Sequence, residues 1–157
     1  MGNSRILKRR DVTPDLWIIW IEKPRGYAFE AGQHCMIGRD GVEDIYSIVS
    51  APHERSLELF LKLEPPPEAI LPTKLWSARV GDTLTIRQTA RGNFTFDPAL
   101  PRKLLVATGS GVSPFVSYIR DYLHNGHDGH HFHVLHGVSY HDELGYDAEL
   151  ERLGRER

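Results

Sequence analysis

A glycine-rich stretch at residues 108–114 (TGSGVSP) has the residue types and spacing that most directly suggest chemistry. Glycine permits a tight turn and lets a ligand approach the backbone closely. Free N–H groups at the start of a helix favour an anionic group such as a pyrophosphate. The alternative is a tight strand-to-helix turn that uses glycine for geometry alone. The order of strand, loop, serine and proline favours phosphate binding.

The sequence on either side of this loop predicts a strand before it and a helix after it. Residues 103–107 (KLLVA) form a largely apolar run, which is typical of a strand buried on both faces. Ser113 is placed to cap the following helix, Pro114 suits its first turn, and Asn125 with Gly126 ends it. Four apolar residues share one face of that helix: Val116, Ile119, Tyr122 and Leu123.

A second strand is predicted at 131–138 and a second helix at 142–153, with Leu150 and Leu153 facing inward. Alternating strands and helices begin a doubly wound sheet, which usually has about five or six strands. Only the first two strand–helix units are present in the sequence.

The region before the loop reads as short strands separated by Gly and Pro turns, which favours a small antiparallel barrel or sandwich. A proline run at 65–67 predicts a stiff connector. The pattern changes near Pro98, so we predict one domain at 1–98 and the beginning of another at 99–157. The predicted strands of the first domain are 16–21, 34–37, 45–50, 57–63 and 83–88.

Composition excludes several classes of function. The 157 residues carry a formal net charge of −2, so no nucleic-acid partner is expected. No apolar stretch approaches the ~20 residues that span a bilayer, so no membrane partner is expected. The single cysteine, Cys35, is predicted to be a buried, inert thiol and favours a reducing, cytoplasmic setting. The histidines clustered between 124 and 136 match no compact zinc spacing, so no metal site is predicted.

Several segments resemble, in the same order, those of the bacterial ferredoxin/flavodoxin–NADP⁺ reductase family. ATGSGVSPFVSYIRD is similar to the family's nicotinamide-dinucleotide segment, AGQHCMI to its PGQ strand, and IYSIVSAP to its Arg-x-Tyr-Ser flavin motif. LELFLKL, VGDTLTIR and GNFTFD follow the family order, and HGVSYHDELGY resembles its HGVR…ELAY segment. The resemblance implies an antiparallel Greek-key β-barrel of the FAD-binding type, followed by a partial parallel α/β nucleotide-binding domain.

The resemblance also implies site residues. Tyr46 would pack flat on the flavin ring and Ser47 would hydrogen-bond near flavin N5, where hydride arrives. The alternative for this pair is an ordinary strand with a surface tyrosine. The remaining implied FAD contacts are Ile48, Leu61, Lys62, Leu71 and Thr73, and the implied NADP (or NAD) contacts are Thr108, Gly109, Ser110, Gly111 and Pro114.

Four departures from the family pattern bear on function. Asp44 replaces the arginine that would pair with the FAD pyrophosphate, so attraction becomes repulsion unless Arg39, Lys62, Lys74 or Arg91 compensates. Pro72 replaces a pyrophosphate-contacting hydroxyl, for which Thr73 is the neighbouring substitute. Ser139 replaces the arginine that reads a 2′-phosphate, and the chain ends at Arg157, before the family's last strands. A shortened chain is therefore expected, with a homo-oligomer as one way to cover the incomplete domain.

Two functions follow from these observations. The first is an FAD-dependent oxidoreductase that moves electrons between NAD(P)H and ferredoxin or flavodoxin through flavin N5. The second is a non-catalytic flavin-binding or assembly module that keeps the fold and lacks nicotinamide turnover.

Overall fold

The computed structural model describes residues 1–63 and 70–155. The proline run at 65–67, predicted to be a connector, lies outside the described residues. None of the described helices is both long enough and apolar enough to cross a bilayer.

The N-terminal part is an antiparallel barrel of six strands in the order β4-β3-β6-β1-β2-β5. An isolated bridge between Ile48 and Leu59 joins the two ends of this order and nearly closes the barrel. A short helix, α1 (Ile70–Trp76), contacts β3 and β4. The strands are β1 (Gly2–Asp11), β2 (Leu16–Glu22), β3 (His34–Arg39), β4 (Val42–Ser47), β5 (Ser56–Lys62) and β6 (Thr83–Ile86).

Strands β2 and β5 are buried on both faces. Their inward residues, such as Trp17 and Leu59, fill the barrel. Their outward residues, such as Ile18 and Phe60, form a second core with the C-terminal part of the chain. The alternation of Leu57, Leu59 and Leu61 predicts the inner face of β5 correctly, whereas burial of its outer face depends on the second unit.

The C-terminal part is a parallel α/β unit. Strands β7 (Arg102–Thr108) and β8 (His131–Gly137) pair in parallel, and helices α2 (Ser113–His124) and α3 (Asp147–Arg155) follow them. The predicted fold class, an antiparallel barrel followed by a partial parallel α/β domain, is therefore confirmed.

The prediction that residues 103–107 are buried on both faces is wrong. Leu105 and Ala107 pack in the second core, but Leu104 is 64% exposed and Val106 is 62% exposed. Leu135 of β8 is exposed beside them. The described residues cover only one face of this two-stranded sheet, which explains the difference.

The predicted cap of α2 is also wrong. A 3₁₀ turn at Gly109–Val112 runs directly into the helix. The residue before α2 is therefore helical, not extended as a capping residue would be. The Ser113 hydroxyl donates to the carbonyl oxygen of Ser110 at 2.6 Å instead of capping. Pro114 does lie in the first turn of α2, as predicted.

Two further elements differ from the sequence prediction. The predicted helix at 142–153 is divided into a 3₁₀ turn at His141–Glu143 and helix α3, with Gly145 between them. Strand β1 has no sequence signal of its own, because only Ser4 and Ile6 of its ten residues are buried and the remainder is largely polar.

Candidate functional site

A cleft of about 500 Å³ lies between the barrel and the α/β unit. It opens at the carboxyl ends of the parallel strands β7 and β8, the edge at which α/β sheets bind ligands. Lys62 of β5 forms the barrel wall of the cleft. The facing wall consists of Thr108, Gly109, Ser110, Gly137, Val138, Ser139 and Glu143.

Gly109 gives the cleft its open floor. Its φ angle of 49° lies in the left-handed region, where glycine is favoured. A Cβ placed on Gly109 would have no described atom within 4 Å, so the space above it is free for a ligand. The imidazole of His136 holds this turn, with Nε2 lying 2.7 Å from the Gly109 carbonyl oxygen. This arrangement fits a diphosphate that lies against the backbone of the Gly109–Val112 turn, where helical structure begins.

The far wall of the cleft is closed by the carboxylate of Glu143. Its Oε2 accepts hydrogen bonds from the backbone N–H groups of Ser139 at 2.8 Å and Tyr140 at 3.2 Å. The turn after β8 is therefore held by a carboxylate that itself lines the cleft.

The residues assigned to the flavin ring lie at the end of β4. Tyr46 is opposite Cys35 and Ser47 is opposite His34 in the β3–β4 pair, so the two side chains point to opposite faces. Tyr46 is half-buried, and burial, followed by the charge of Asp44, raises the pKa of its phenol. Its hydroxyl is buried without a hydrogen-bond partner among the described residues, which leaves a polar atom for a ligand to satisfy.

The remaining FAD assignments lie at different depths. Ile48, Leu61 and Leu71 have side chains buried in the barrel core, so they offer only backbone atoms to a ligand. Thr73 is exposed on α1. Lys62 is exposed at the end of β5 and lies in the cleft beside the loop assigned to NAD(P).

Of the cations considered as replacements for the missing arginine, Arg39 shares a face of β3–β4 with Asp44 and Tyr46. It pairs with Asp82 through Nη2 at 3.1 Å, while its Nη1 is buried and unpartnered among the described residues. Lys74 pairs with Asp40 at 3.3 Å. Arg39 thus has a buried donor without a partner among the described residues, on the face that carries Tyr46.

Comparison with known proteins identifies the group to which these features belong. Residues 105–157 match the family model described as an oxidoreductase NAD-binding domain. The flavodoxin/ferredoxin–NADP reductase of Buchnera aphidicola is 29% identical over 157 residues, which cover 96% of this chain and 61% of that protein. The ferredoxin–NADP reductase of Pseudomonas aeruginosa is 35% identical over 77% of this chain and 48% of that protein.

A solved structure agrees over almost the whole chain. The ferredoxin NADP⁺ reductase of Neisseria gonorrhoeae, determined with bound FAD and NADP, superposes with a TM-score of 0.85 at 27% identity. The alignment covers 99% of this chain and 64% of that protein. The chain belongs to the ferredoxin–NADP⁺ reductase family. It spans about three fifths of the length of the Buchnera relative.

An ionic network fixes the two units of this reductase-family chain relative to each other. Arg120 of α2 donates to Glu58 of β5 at 2.7 Å and to Glu149 of α3 at 2.8 and 2.9 Å. The Tyr146 hydroxyl donates to the other oxygen of Glu58 at 2.7 Å. Burial alone would lower the pKa of Arg120, but its hydrogen bonds to Glu149 and Glu58 hold that pKa above its ordinary value.

The sequence pattern does not reveal this network. Glu58 reads only as an outward residue of a strand, and it is 3% exposed because the α/β unit covers it. Glu143 and His136 lie within segments that resemble the family, but no pattern indicates that they hold the walls of the cleft. Within 1–63 and 70–155, no group of three potential ligands is arranged to hold a metal ion.

Proposed function

We propose that this chain provides the FAD-binding domain (1–98) and the first part of the NAD(P)-binding domain (99–157) of a reductase. The reductase moves electrons between NAD(P)H and ferredoxin or flavodoxin. The observation that carries the proposal is the cleft in which Lys62 of the barrel faces Thr108, Gly109 and Ser110 at the carboxyl ends of β7 and β8. When bound, FAD accepts hydride at N5 and passes electrons on singly.

On the flavin side, the protein orients the ring and excludes water. The Tyr46 ring stacks against the flavin, and its burial against the barrel core keeps that stacking surface rigid. The small Ser47 hydroxyl contacts the N5 edge without blocking access. Ile48, Leu61 and Leu71 offer main-chain atoms to the flavin, while Thr73 and Arg39 bind its phosphates, a role that Pro72 and Asp44 cannot fill.

On the nucleotide side, the binding groups are the backbone N–H groups of Gly109, Ser110 and Gly111 and the ammonium of Lys62. Thr108 ends β7 and Pro114 directs the first turn of α2, so both position the loop. Helical structure begins with the 3₁₀ turn at Gly109–Val112, directly after the extended Thr108, so the N–H groups of this turn are the ones that would meet a diphosphate.

The electron carrier would dock beside Ser47. His34, the strand partner of Ser47, lines a small surface pocket with Arg87, Arg91 and Ile45. Arg87 is paired with Glu43 at 2.6 Å, and Arg91 is exposed. An acidic carrier such as ferredoxin or flavodoxin is attracted by this patch, so its association should slow as salt increases.

A second function, flavin binding or assembly without nicotinamide turnover, is favoured by one observation. Asp44 places an exposed carboxylate on the same face as Tyr46, where it repels a pyrophosphate. The two functions differ in a measurable property, because only the first requires reduction of the flavin by NADH or NADPH.

The experiment adds FAD to the purified chain, removes free FAD by desalting, and records the visible spectrum. Tyr46→Ala should lose the flavin, whereas Ile45→Ala, a change on the opposite face of β4, should retain it. A wild-type chain that is colourless after desalting would contradict both functions. Retained flavin that neither NADH nor NADPH bleaches would leave only the second.

A further inference from the structure

The outer face of the barrel carries a small pocket that is separate from the nucleotide cleft. Its lining residues come from β3, from β4 and from the segment that follows β6, and they are His34, Met36, Ile45, Arg87, Thr89 and Arg91. The pocket has a volume of about 160 Å³. Since a water molecule in the liquid occupies about 30 Å³, this space holds about five heavy atoms, which is the size of a phosphate group.

Backbone pairing brings the two arginines of this pocket to the same face. Arg91 exchanges backbone hydrogen bonds with His34 at 2.9 and 3.0 Å, and the N–H of Arg87 donates to the Met36 carbonyl oxygen at 3.0 Å. Met36 is directly opposite Ile45 in the β3–β4 pair, and opposite residues share a face of the sheet. The strand ladders therefore hold cationic and apolar side chains around one space.

The charge of the pocket favours an anion. Its described lining includes two arginines and no acidic residue. The guanidinium of Arg91 is exposed and has no partner among the described residues. Glu43 holds Arg87 through Nε at 3.3 Å and Nη2 at 2.6 Å, which leaves the Nη1 donors of Arg87 for another acceptor. Asp44, whose carboxylate would repel an anion, lies on the opposite face of β4.

The donors of the pocket suit a phosphate better than a carboxylate. Arg91 presents a planar fork of donors, to which Arg87 Nη1 and the Thr89 hydroxyl add further donors. A phosphate monoester has more acceptor oxygens than a carboxylate and can use more of these groups. Met36 and Ile45 add an apolar side, and Ile45 is 53% exposed, so an apolar group attached to the phosphate would cover it.

We propose that this pocket binds the phosphate group of a small phosphate monoester whose apolar part rests on Ile45. The pocket is built from the barrel alone, so the proposal does not depend on the proposed function. A monoester bound here would cover the patch at which the electron carrier is proposed to dock, and it would compete with that partner.

The test measures binding of phenyl phosphate, inorganic phosphate and benzoate to the purified, FAD-supplemented chain by isothermal titration calorimetry. Phenyl phosphate should bind most tightly, because it alone combines a phosphate with an apolar body. Arg91→Gln should weaken its binding at least about tenfold. Ile45→Ala should weaken phenyl phosphate several-fold and leave inorganic phosphate unchanged. Arg25→Gln is the matched control, because it removes the charge of an exposed arginine that does not line the pocket.

The outcomes separate the possible ligands. Weakening in Arg91→Gln that Arg25→Gln does not share, with loss of the phenyl preference in Ile45→Ala, supports the proposal. Inorganic phosphate bound as tightly as phenyl phosphate would overturn the monoester and assign the pocket to free phosphate. Benzoate bound as tightly would overturn it in favour of carboxylates, such as those of an acidic carrier. Absence of millimolar binding, or equal weakening in the two arginine variants, would show that the pocket is not a binding site. Flavin retention and reduction test the proposed function separately from all of these results.

Discussion

Replacement of Arg120 by methionine should lower the free energy of unfolding more than the removal of any exposed charge does. Arg120 is 17% exposed and holds the 4%-exposed carboxylate of Glu58 at 2.7 Å, so Arg120→Met leaves a buried carboxylate without its cation. Breaking a buried pair from one side costs about 3 to 5 kcal/mol. The hydrogen bond from Tyr146 remains, so we expect the lower end, about 3 kcal/mol of unfolding free energy.

Urea unfolding followed by tryptophan fluorescence measures this change, since Trp17 is buried in the barrel. Removing the unpaired charge of Glu58 should restore much of the lost unfolding free energy. The two changes Arg120→Met and Glu58→Gln should therefore have a coupling energy of at least about 2 kcal/mol in a double-mutant cycle. Arg155→Met, which removes a 79%-exposed partner of Glu151, should cost no more than about 0.5 kcal/mol. A cost for Arg120→Met as small as that for Arg155→Met, or additive effects in the double variant, would refute this reasoning.

Three other perturbations have outcomes that the structure sets. Burial raises the pKa of Cys35 to about 12 from 9.0, so the unfolded chain releases this proton first and stability should fall as pH rises above about 9. At pH ~10.5 this amounts to about 2 kcal/mol, and the urea midpoint of Cys35→Ala should decline less over the same range; equal declines would contradict it. Gly32→Ala places a Cβ against the Phe94 carbonyl oxygen at φ +95°, so it should cost at least about 3 kcal/mol in urea unfolding, whereas Gly26→Ala, at φ +77° with no described atom nearby, should cost about 1 to 2 kcal/mol. Comparable costs at the two glycines would show that contact is unimportant. Lys62→Ala should weaken NAD⁺ binding about tenfold in calorimetry without moving the urea midpoint, and unchanged affinity would remove Lys62 from the nucleotide site.

Local patterns in the sequence are sufficient to predict much of the fold. Two such patterns are the apolar run that forms β2 and the helical spacing of Val116, Ile119 and Tyr122. Each pattern depends on the geometry of a single strand or helix and not on its neighbours. Their burial in the structure confirms those predictions. The start of α2 is less predictable, because a 3₁₀ turn and a capped helix share the same residue preferences.

Features that depend on packing between the two units cannot be predicted from local patterns. In the sequence, Glu58 and Phe60 alternate with the core leucines of β5, which predicts that they face outward. They are buried because α2 and α3 pack against this outer face. Exposure of Leu104 follows from the absence of cover on one sheet face among the described residues, which no pattern in β7 expresses. In the candidate site, the glycine loop is visible from its spacing, whereas the position of Glu143 depends on how the chain turns after β8.

The central claim of the proposed function is that a flavin held by the barrel receives hydride from a nicotinamide dinucleotide held in the cleft beside Gly109. Anaerobic addition of NADH to the FAD-loaded chain tests it most directly. The account predicts that the visible flavin absorbance bleaches, and that Gly109→Val, which fills the open floor of the cleft, abolishes the bleaching while FAD stays bound. Flavin that remains oxidised with NADH and NADPH, or a Gly109→Val variant that bleaches as fast as the wild type, would contradict it.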